Sequence, residues 1–334
     1  MDGKMFVFKS CYVALVLLFA TSISVYADEI DVYFVTGQSN ASNFANLSGT
    51  GPTDVGFTLH FARSEDAFVG NYPDDAVAVQ FSSDLLDTSL PTSILAMGLQ
   101  QGDRDVAIIA FTRVASSLAL VPGESDTSWF PGSDPANGEV FNDALCYNFL
   151  NWSQARINEL QDQGHTINVR GIFWFQGERD GATGFHEVYE ENFTNLVFRF
   201  RETYGQELRM VATELHEIPG TGVNWIVIND ALESVANADV RIGFVQTFDL
   251  AWLSPTDVHL SDAGYMALAP RWSAKMLELL NLGDVNGDGM VSLLDVAPFV
   301  QILIDGTFDS AADINQDGIV DLLDVVPFVE LLLG

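Results

Sequence analysis

Apolar residues along the chain gather in short unbroken runs rather than in strict alternation. Five runs stand out, at 30–35, 105–111, 169–175, 208–213 and 240–246. A strand with one wet face alternates, whereas a strand covered on both faces reads as continuous apolar sequence. These runs therefore predict a parallel five-stranded sheet between two layers of helices, an α/β fold. The intervening segments 142–163, 187–204 and 261–280 carry the longer patterns expected of helices. Ser261 stands where a helix N-cap belongs, with a hydroxyl that accepts from an unpaired backbone N–H of the first turn. A long Gly-, Pro- and Asp-rich region separates the first two runs. A second such stretch, 122–138, reads as a loop on the substrate side rather than as core.

The character of the chain changes at Asn281. "DVNGDGMVSLLDVAPFVQIL" (284–303) is echoed by "DINQDGIVDLLDVVPFVELL" (313–332). Calcium takes six to eight oxygen ligands, and a loop that wraps it supplies them at fixed spacing around a glycine at the sharp turn. The first copy offers Asp284, Asn286, Asp288, the Met290 carbonyl, Ser292 and Asp295, with Gly289 at the turn. The second offers Asp313, Asn315, Asp317, the Ile319 carbonyl, Asp321 and Asp324, with Gly318. An Asp-rich chain produces one such match by accident more easily than two with the glycine in register. Asp at the twelfth position, in place of the bidentate Glu of a sensor, and a single apolar helix after each loop depart from a helix–loop–helix pair.

Composition narrows the picture further. The 334 residues are 48% hydrophobic, enough for a large core, and the formal net charge is −32. So acidic a chain repels phosphate backbones and anionic membrane surfaces, which disfavours nucleic acid as a partner. Lys4 and Lys9, the apolar run 12–20 and the small residues ending at Ala27 have the layout of a secretory signal peptide cut after Ala27. The run is short for a membrane span, so secretion or display at the cell surface is expected, without stable insertion after cleavage. Removal of the leader takes Cys11 with it and leaves Cys146 alone, which excludes an intrachain disulfide.

Three segments carry candidate chemistry. "VTGQSN" (35–40) ends a strand in a polar turn, and Ser39 is either a presented nucleophile or a serine of that turn. A nucleophilic serine needs a base, exposure at a strand end and N–H donors for the oxyanion. The carboxyl edge of a parallel sheet is where such ligand sites lie. "GIFWFQGERD" (171–180) ends a second strand in Gln176, Glu178, Arg179 and Asp180, a polar cluster unsuited to a core. "SPTDVHLSDAGY" (254–265) sets Asp257 two residues before His259, ahead of the last long helix of the main domain. His60, His165, His186 and His216 have no comparable surroundings in the sequence.

Taken in order, "GQSN", "WFQGERD" and "DVHLSDAGY" resemble the motifs of SGNH-type esterases of the sialate O-acetylesterase and acetylxylan esterase branch, over about residues 30–280. The resemblance implies a three-layer, flavodoxin-like α/β/α domain that removes acetyl groups from carbohydrate. It implies Ser39 as nucleophile, His259 as base, and the Ser39 N–H and the Gln176 side chain as oxyanion donors. An N–H at Ala115–Ser116 completes the oxyanion set, although "RVASSL" (113–118) has Ala115 where the family has glycine. The family's acid stands three residues before the histidine, where this chain has Thr256. Asp257 and Glu178 both remain as groups that orient His259. Asn40 is expected to fix the turn, and Arg113, Arg179 and Trp129 to line the pocket or the frame behind it. No metal is required for catalysis.

The tail resembles a type I dockerin, which implies two structural calcium ions and attachment to a cohesin-like module. The chain thus divides into a leader (1–27), an esterase domain (28–280) and a dockerin-like domain (281–334). A catalytically inactive carbohydrate-binding or scaffold-associated protein of the same fold is the competing expectation.

Overall fold

The computed structural model describes residues 29–46, 58–64, 90–101, 104–121, 123–132, 141, 143–218 and 224–333. The predicted leader and most of the Gly- and Pro-rich region after the first strand lie outside them. Six strands form one sheet: β1 Glu29–Gly37, β2 Thr58–Ser64, β3 Asp105–Thr112, β4 Thr166–Phe175, β5 Arg209–Thr213 and β6 Ile242–Val245. Every pairing is parallel, in the order β2-β3-β1-β4-β5-β6. Five are the predicted strands. The sixth, β2, adds an edge that the sequence reading did not anticipate. Its "TLHFARS" alternates apolar and polar residues, so it is not one of the unbroken runs that mark doubly covered strands. Without β2 the order is that of a flavodoxin-like sheet, in which the chain reverses direction across the sheet between β1 and β4.

The helices are α1 Ser39–Asn46, α2 Leu90–Leu99, α3 Leu145–Asp162, α4 Glu178–Thr183, α5 Tyr189–Tyr204, α6 Trp225–Ala238 and α7 Asp262–Asn281, followed in the tail by α8 Val296–Asp305 and α9 Val325–Leu333. Three occupy the predicted segments. Ser261 caps α7, accepting from Gly264 N–H at 3.2 Å. Neighbouring strand residues point to opposite faces, and their aromatic contacts define the two layers. On one face Phe173 stacks on Trp272 of α7, which also meets Phe44 of α1. On the other, Phe34 packs edge-on to Phe149 of α3 and against Tyr204 of α5, and Trp174 meets Phe193. These rings are buried, except for half-buried Tyr204. Truncating one such phenylalanine or tryptophan to alanine costs about 3–5 kcal/mol. No helix among the described residues is long and apolar enough to cross a membrane.

In register, Gly37 of β1 sits beside Thr112 of β3 and Phe175 of β4, so these strands end level. The segments that follow them leave from one carboxyl edge. The approach there is close. A Cβ on Gly37 would stand 2.1 Å from the Phe175 carbonyl, and its φ of +134° is open to glycine alone in practice. Gly177 has φ +139°, and a Cβ there would strike Ile228. The glycines of "GQSN" and "QGE" thus let two chain reversals sit side by side.

Candidate active site

Ser39 is the first residue of α1, just beyond the turn at Gly37 and Gln38. Gln38 N–H donates to Phe175 O at 3.0 Å and Arg113 N–H to Gly37 O at 3.0 Å, which locks the turn to both neighbouring strands. Ser39 Oγ lies 2.9 Å from His259 Nε2, and His259 Nδ1 lies 2.8 Å from Asp257 Oδ1. The same Asp257 oxygen accepts the His259 backbone N–H at 2.9 Å. That backbone bond and the imidazole hold the Asp257 carboxyl below its ordinary range. Since a carboxylate only accepts, Nδ1 carries the proton and Nε2 faces the hydroxyl as an acceptor. A serine, a histidine and an aspartate joined in this way can pass a proton from the hydroxyl to the ring. Asp257 reaches the histidine from two residues away because the backbone and ring N–H groups of His259 converge on a single oxygen. Thr256, three residues before the histidine, is exposed and lies 3.3 Å from Ser254 Oγ.

Two expected roles are corrected by the geometry. Glu178 does not orient His259: its Oε1 accepts from Asn40 Nδ2 at 2.6 Å. It is buried, and its Oε2 has no hydrogen-bond partner. Burial pushes its carboxyl up to about 7, opposed by the Asn40 bond and assisted by nearby Asp180. Gln176 does not offer its amide to an oxyanion. Its Nε2 donates to Ser116 O at 2.9 Å and Asp180 Oδ2 at 2.7 Å, and a carbonyl at Ser116 fixes which end of the amide carries the hydrogens. Both hydrogens are committed, and the side chain is fully buried.

These residues build the frame instead. Asp180 accepts the Leu118 and Ala119 N–H groups at 2.9–3.0 Å, tying the 113–119 loop to the segment after β4. Leaving either buried donor without its acceptor costs about 1–3 kcal/mol, so the clamp is strong. Arg179 donates to Ala115 O at 2.7 Å and pairs with Glu124 at 2.6 Å, bridging the same loop to 123–132. Ala115 has φ +55°, the left-handed conformation in which glycine is more at ease than alanine. Its carbonyl is turned to Arg179, and neither its N–H nor that of Ser39 has a partner among the described residues. Ser116 N–H donates to Arg113 O at 3.3 Å. Trp129 is fully buried, with Nε1 on Ser116 Oγ at 3.1 Å, and belongs to the frame rather than to a pocket wall.

Asn40 does more than fix its turn. Its Nδ2 donates to Val258 O at 2.8 Å, and its Oδ1 accepts from Leu260 N–H at 3.2 Å and Tyr265 OH at 2.8 Å. It thus holds the residues on both sides of His259 from the turn that carries Ser39. The "GQSN" match pointed to Asn40 as a turn residue. Nothing in the sequence showed a partner 218 residues away.

In the tail each loop closes on its own backbone. Asp284 accepts from Asp288 and Gly289 N–H, and Asp295 from Asn286 and Ser292 N–H. Asp313 and Asp324 repeat the pattern with Asp317, Gly318, Asn315 and Asp321. Asp295 and Asp324 also complete capping boxes with Ser292 and Asp321. Gly289 and Gly318 have φ of +89° and +85°, as the sharp turn of a calcium loop requires. Burial, then the Asp324 and Asp317 carboxylates, raise the Asp313 carboxyl. Among the described residues no three His, Cys, Asp or Glu side chains converge as a ready metal cluster. Each loop sets carboxylates beside Asn and backbone oxygens, and the first adds the Ser292 hydroxyl, all hard ligands of the kind calcium takes. Phe299 and Phe328, at equivalent places in the two repeats, stack at 4.1 Å and join the halves.

Residues 123–278 match the family model described as carbohydrate esterase, sialic acid-specific acetylesterase, and residues 282–327 match that of the dockerin type I domain. The first match spans the Gln176–Asp180 and Asp257–His259 segments and begins after Ser39. No curated protein sequence matches the chain. Among solved structures, NanS is similar at 14% identity and TM-score 0.49, over 75% of this chain and 98% of its own. A protein of Arabidopsis thaliana is similar at 14% identity and TM-score 0.48, over 74% and 97%. A carbohydrate acetylesterase of Sinorhizobium meliloti is similar at 14% identity and TM-score 0.39, over 75% and 100%. The chain is thus an ester hydrolase, in which residues 123–278 match a carbohydrate-esterase family model and the tail after them matches the type I dockerin domain.

Proposed function

We propose that the chain is a secreted O-acetylesterase that removes acetyl groups from carbohydrate, with Ser39 as nucleophile, His259 as general base and Asp257 as the acid that orients it. The hydrogen-bonded run from Ser39 Oγ to His259 Nε2, and from Nδ1 to Asp257, is the observation that carries this reading. Ser39 Oγ attacks the ester carbonyl as His259 takes its proton. The negative oxygen is held by the N–H groups of Ser39 and Ala115. His259 then returns the proton to the departing sugar hydroxyl, leaving acetyl on Ser39. Water, deprotonated by His259, attacks that acyl group. Acetate leaves and the serine regains its proton. The Gln176 amide acts behind this machinery, as a tie between loops.

The tail is proposed to hold two calcium ions, one per loop. The first takes Asp284, Asn286, Asp288, the Met290 carbonyl, Ser292 and Asp295. The second takes the matching oxygens from Asp313 to Asp324. The ions supply folding energy to the tail, and the domain docks on a cohesin-like module that anchors the enzyme outside the cell. A domain parse into leader, esterase (28–280) and dockerin (281–334) follows from this reading.

The test is hydrolysis of p-nitrophenyl acetate by the full chain and by Ser39→Ala. The variant is expected to lose on the order of 10⁴-fold or more in kcat. An unchanged rate excludes Ser39 from the mechanism. Acetate release from acetylated xylan, pectin and O-acetylated sialic acid then identifies the sugar.

A further inference from the structure

The acid of the proposed site sits on the least supported part of its loop. Residues 251–261 close on themselves: Trp252 and Leu260 form an antiparallel bridge, Leu253 N–H donates to His259 O at 3.0 Å, and Ser261 N–H donates to Ala251 O at 2.9 Å. Asn40 holds Val258 and Leu260, on either side of the histidine. None of these bonds reaches Asp257, whose side chain is 37% exposed and whose one oxygen serves both the backbone and the ring of His259. Its own N–H bonds only to Ser254 O within the same loop, at 3.1 Å. A peptide rotation there would aim the carboxylate into water.

His216 stands against that rotation. It follows β5, which ends level with β6 at the carboxyl edge. Its Nδ1 lies 2.8 Å from the Asp257 carbonyl oxygen. A carbonyl only accepts, so Nδ1 bears the proton and donates. The His216 ring also lies 4.2 Å from the Trp252 ring at 13°, a stack that fixes where the donor points. One histidine thus touches both the root of the loop and the peptide of its tip. We infer that His216 is a positioning residue for the ester-hydrolysing site, holding the Asp257 peptide so that its carboxylate stays on His259 Nδ1. This inference rests on the proposed roles of Ser39, His259 and Asp257.

Two variants of the full chain separate its two contacts. His216→Phe keeps a flat ring on Trp252 and removes the donor. His216→Asn returns an N–H at the place of Nδ1 and gives up the stack. On p-nitrophenyl acetate His216→Phe is expected to lose about tenfold in kcat with KM unchanged, the scale of a misaligned catalytic group. His216→Asn recovers most of that loss. The downfield proton resonance of the His259 Nδ1–H bond weakens in His216→Phe and returns in His216→Asn. In an Asp257→Ala background His216→Phe has no further effect on kcat, because contacting residues that act as a unit are not additive. Wild-type kcat in His216→Phe overturns the inference alone, as does a tenfold loss that persists without the Asp257 carboxylate. Wild-type kcat in Asp257→Ala overturns the proposed triad and this inference with it.

Discussion

The carboxyl edge of the sheet and the calcium loops of the tail solve the same problem, holding several polar groups around one point, in opposite ways. At the sheet edge the partners are far apart in sequence. Ser39 and His259 are 220 residues apart, and Asn40 and Glu178 are 138 apart. The point is held by hydrogen bonds between loops, many of them buried. In the tail the carboxylate bonds to backbone N–H groups span nine residues or fewer. Each loop is closed locally and crowded with like charge, which suits the proposed calcium. Distance along the chain thus separates a site held by bonds between loops from loops closed on themselves.

The largest expected effect tests the long-range half of that contrast. Asp257→Ala should lower kcat on a soluble acetate ester by on the order of 10⁴-fold, as for the acid of other serine triads. Glu178→Gln should stay within about threefold of wild type, because a glutamine oxygen still accepts from Asn40. If the two results exchange, Glu178 is the acid. Next, chelation with EGTA should raise amide hydrogen exchange across 284–333 by on the order of 10²-fold while esterase turnover stays within about twofold. Unchanged exchange removes calcium from the tail's stability.

The pH dependence of Glu178 is a third probe. Its folded carboxyl is raised from an ordinary 4.5 to about 7 by burial, so the folded state favours the protonated form. That contribution is fully present below about pH 4.5 and is lost as pH rises through 7. Glu178→Gln should therefore match wild type in acid and exceed it by up to about 3 kcal/mol in unfolding free energy above pH 8. Denaturant unfolding across that range checks the sign. The smallest effect is Ala115→Gly, which relieves a left-handed alanine and should stabilise by up to about 1 kcal/mol, read as a rise in Tm with activity retained.

The same contrast decides what the sequence could disclose. The tail's loops were readable because their pattern repeats within a twelve-residue window and their glycines take the same left-handed turn. The five strands other than β2 were readable because burial on both faces leaves an unbroken apolar signature. Edge strand β2, which alternates, left none. At the site, Ser39, Asp257 and His259 announced themselves as strand-end or loop residues, yet Gln176 and Glu178 were assigned to the wrong partners. Their types fit an oxyanion donor and an orienting acid. Their actual partners, Ser116 O, Asp180 and Asn40, come from other parts of the chain. His216 looked unremarkable for the same reason, since both of its contacts lie across the sheet edge.

The central claim is that Ser39 at this edge is the nucleophile and that His259 and Asp257 activate it. It is tested most directly by treating the full chain with a p-nitrophenyl phosphonate ester and measuring intact mass, followed by peptide mapping. A single adduct on Ser39 is expected, formed at least about 10²-fold more slowly in Asp257→Ala and absent in Ser39→Ala. Labelling of another residue, or equal labelling in Ser39→Ala, would contradict it.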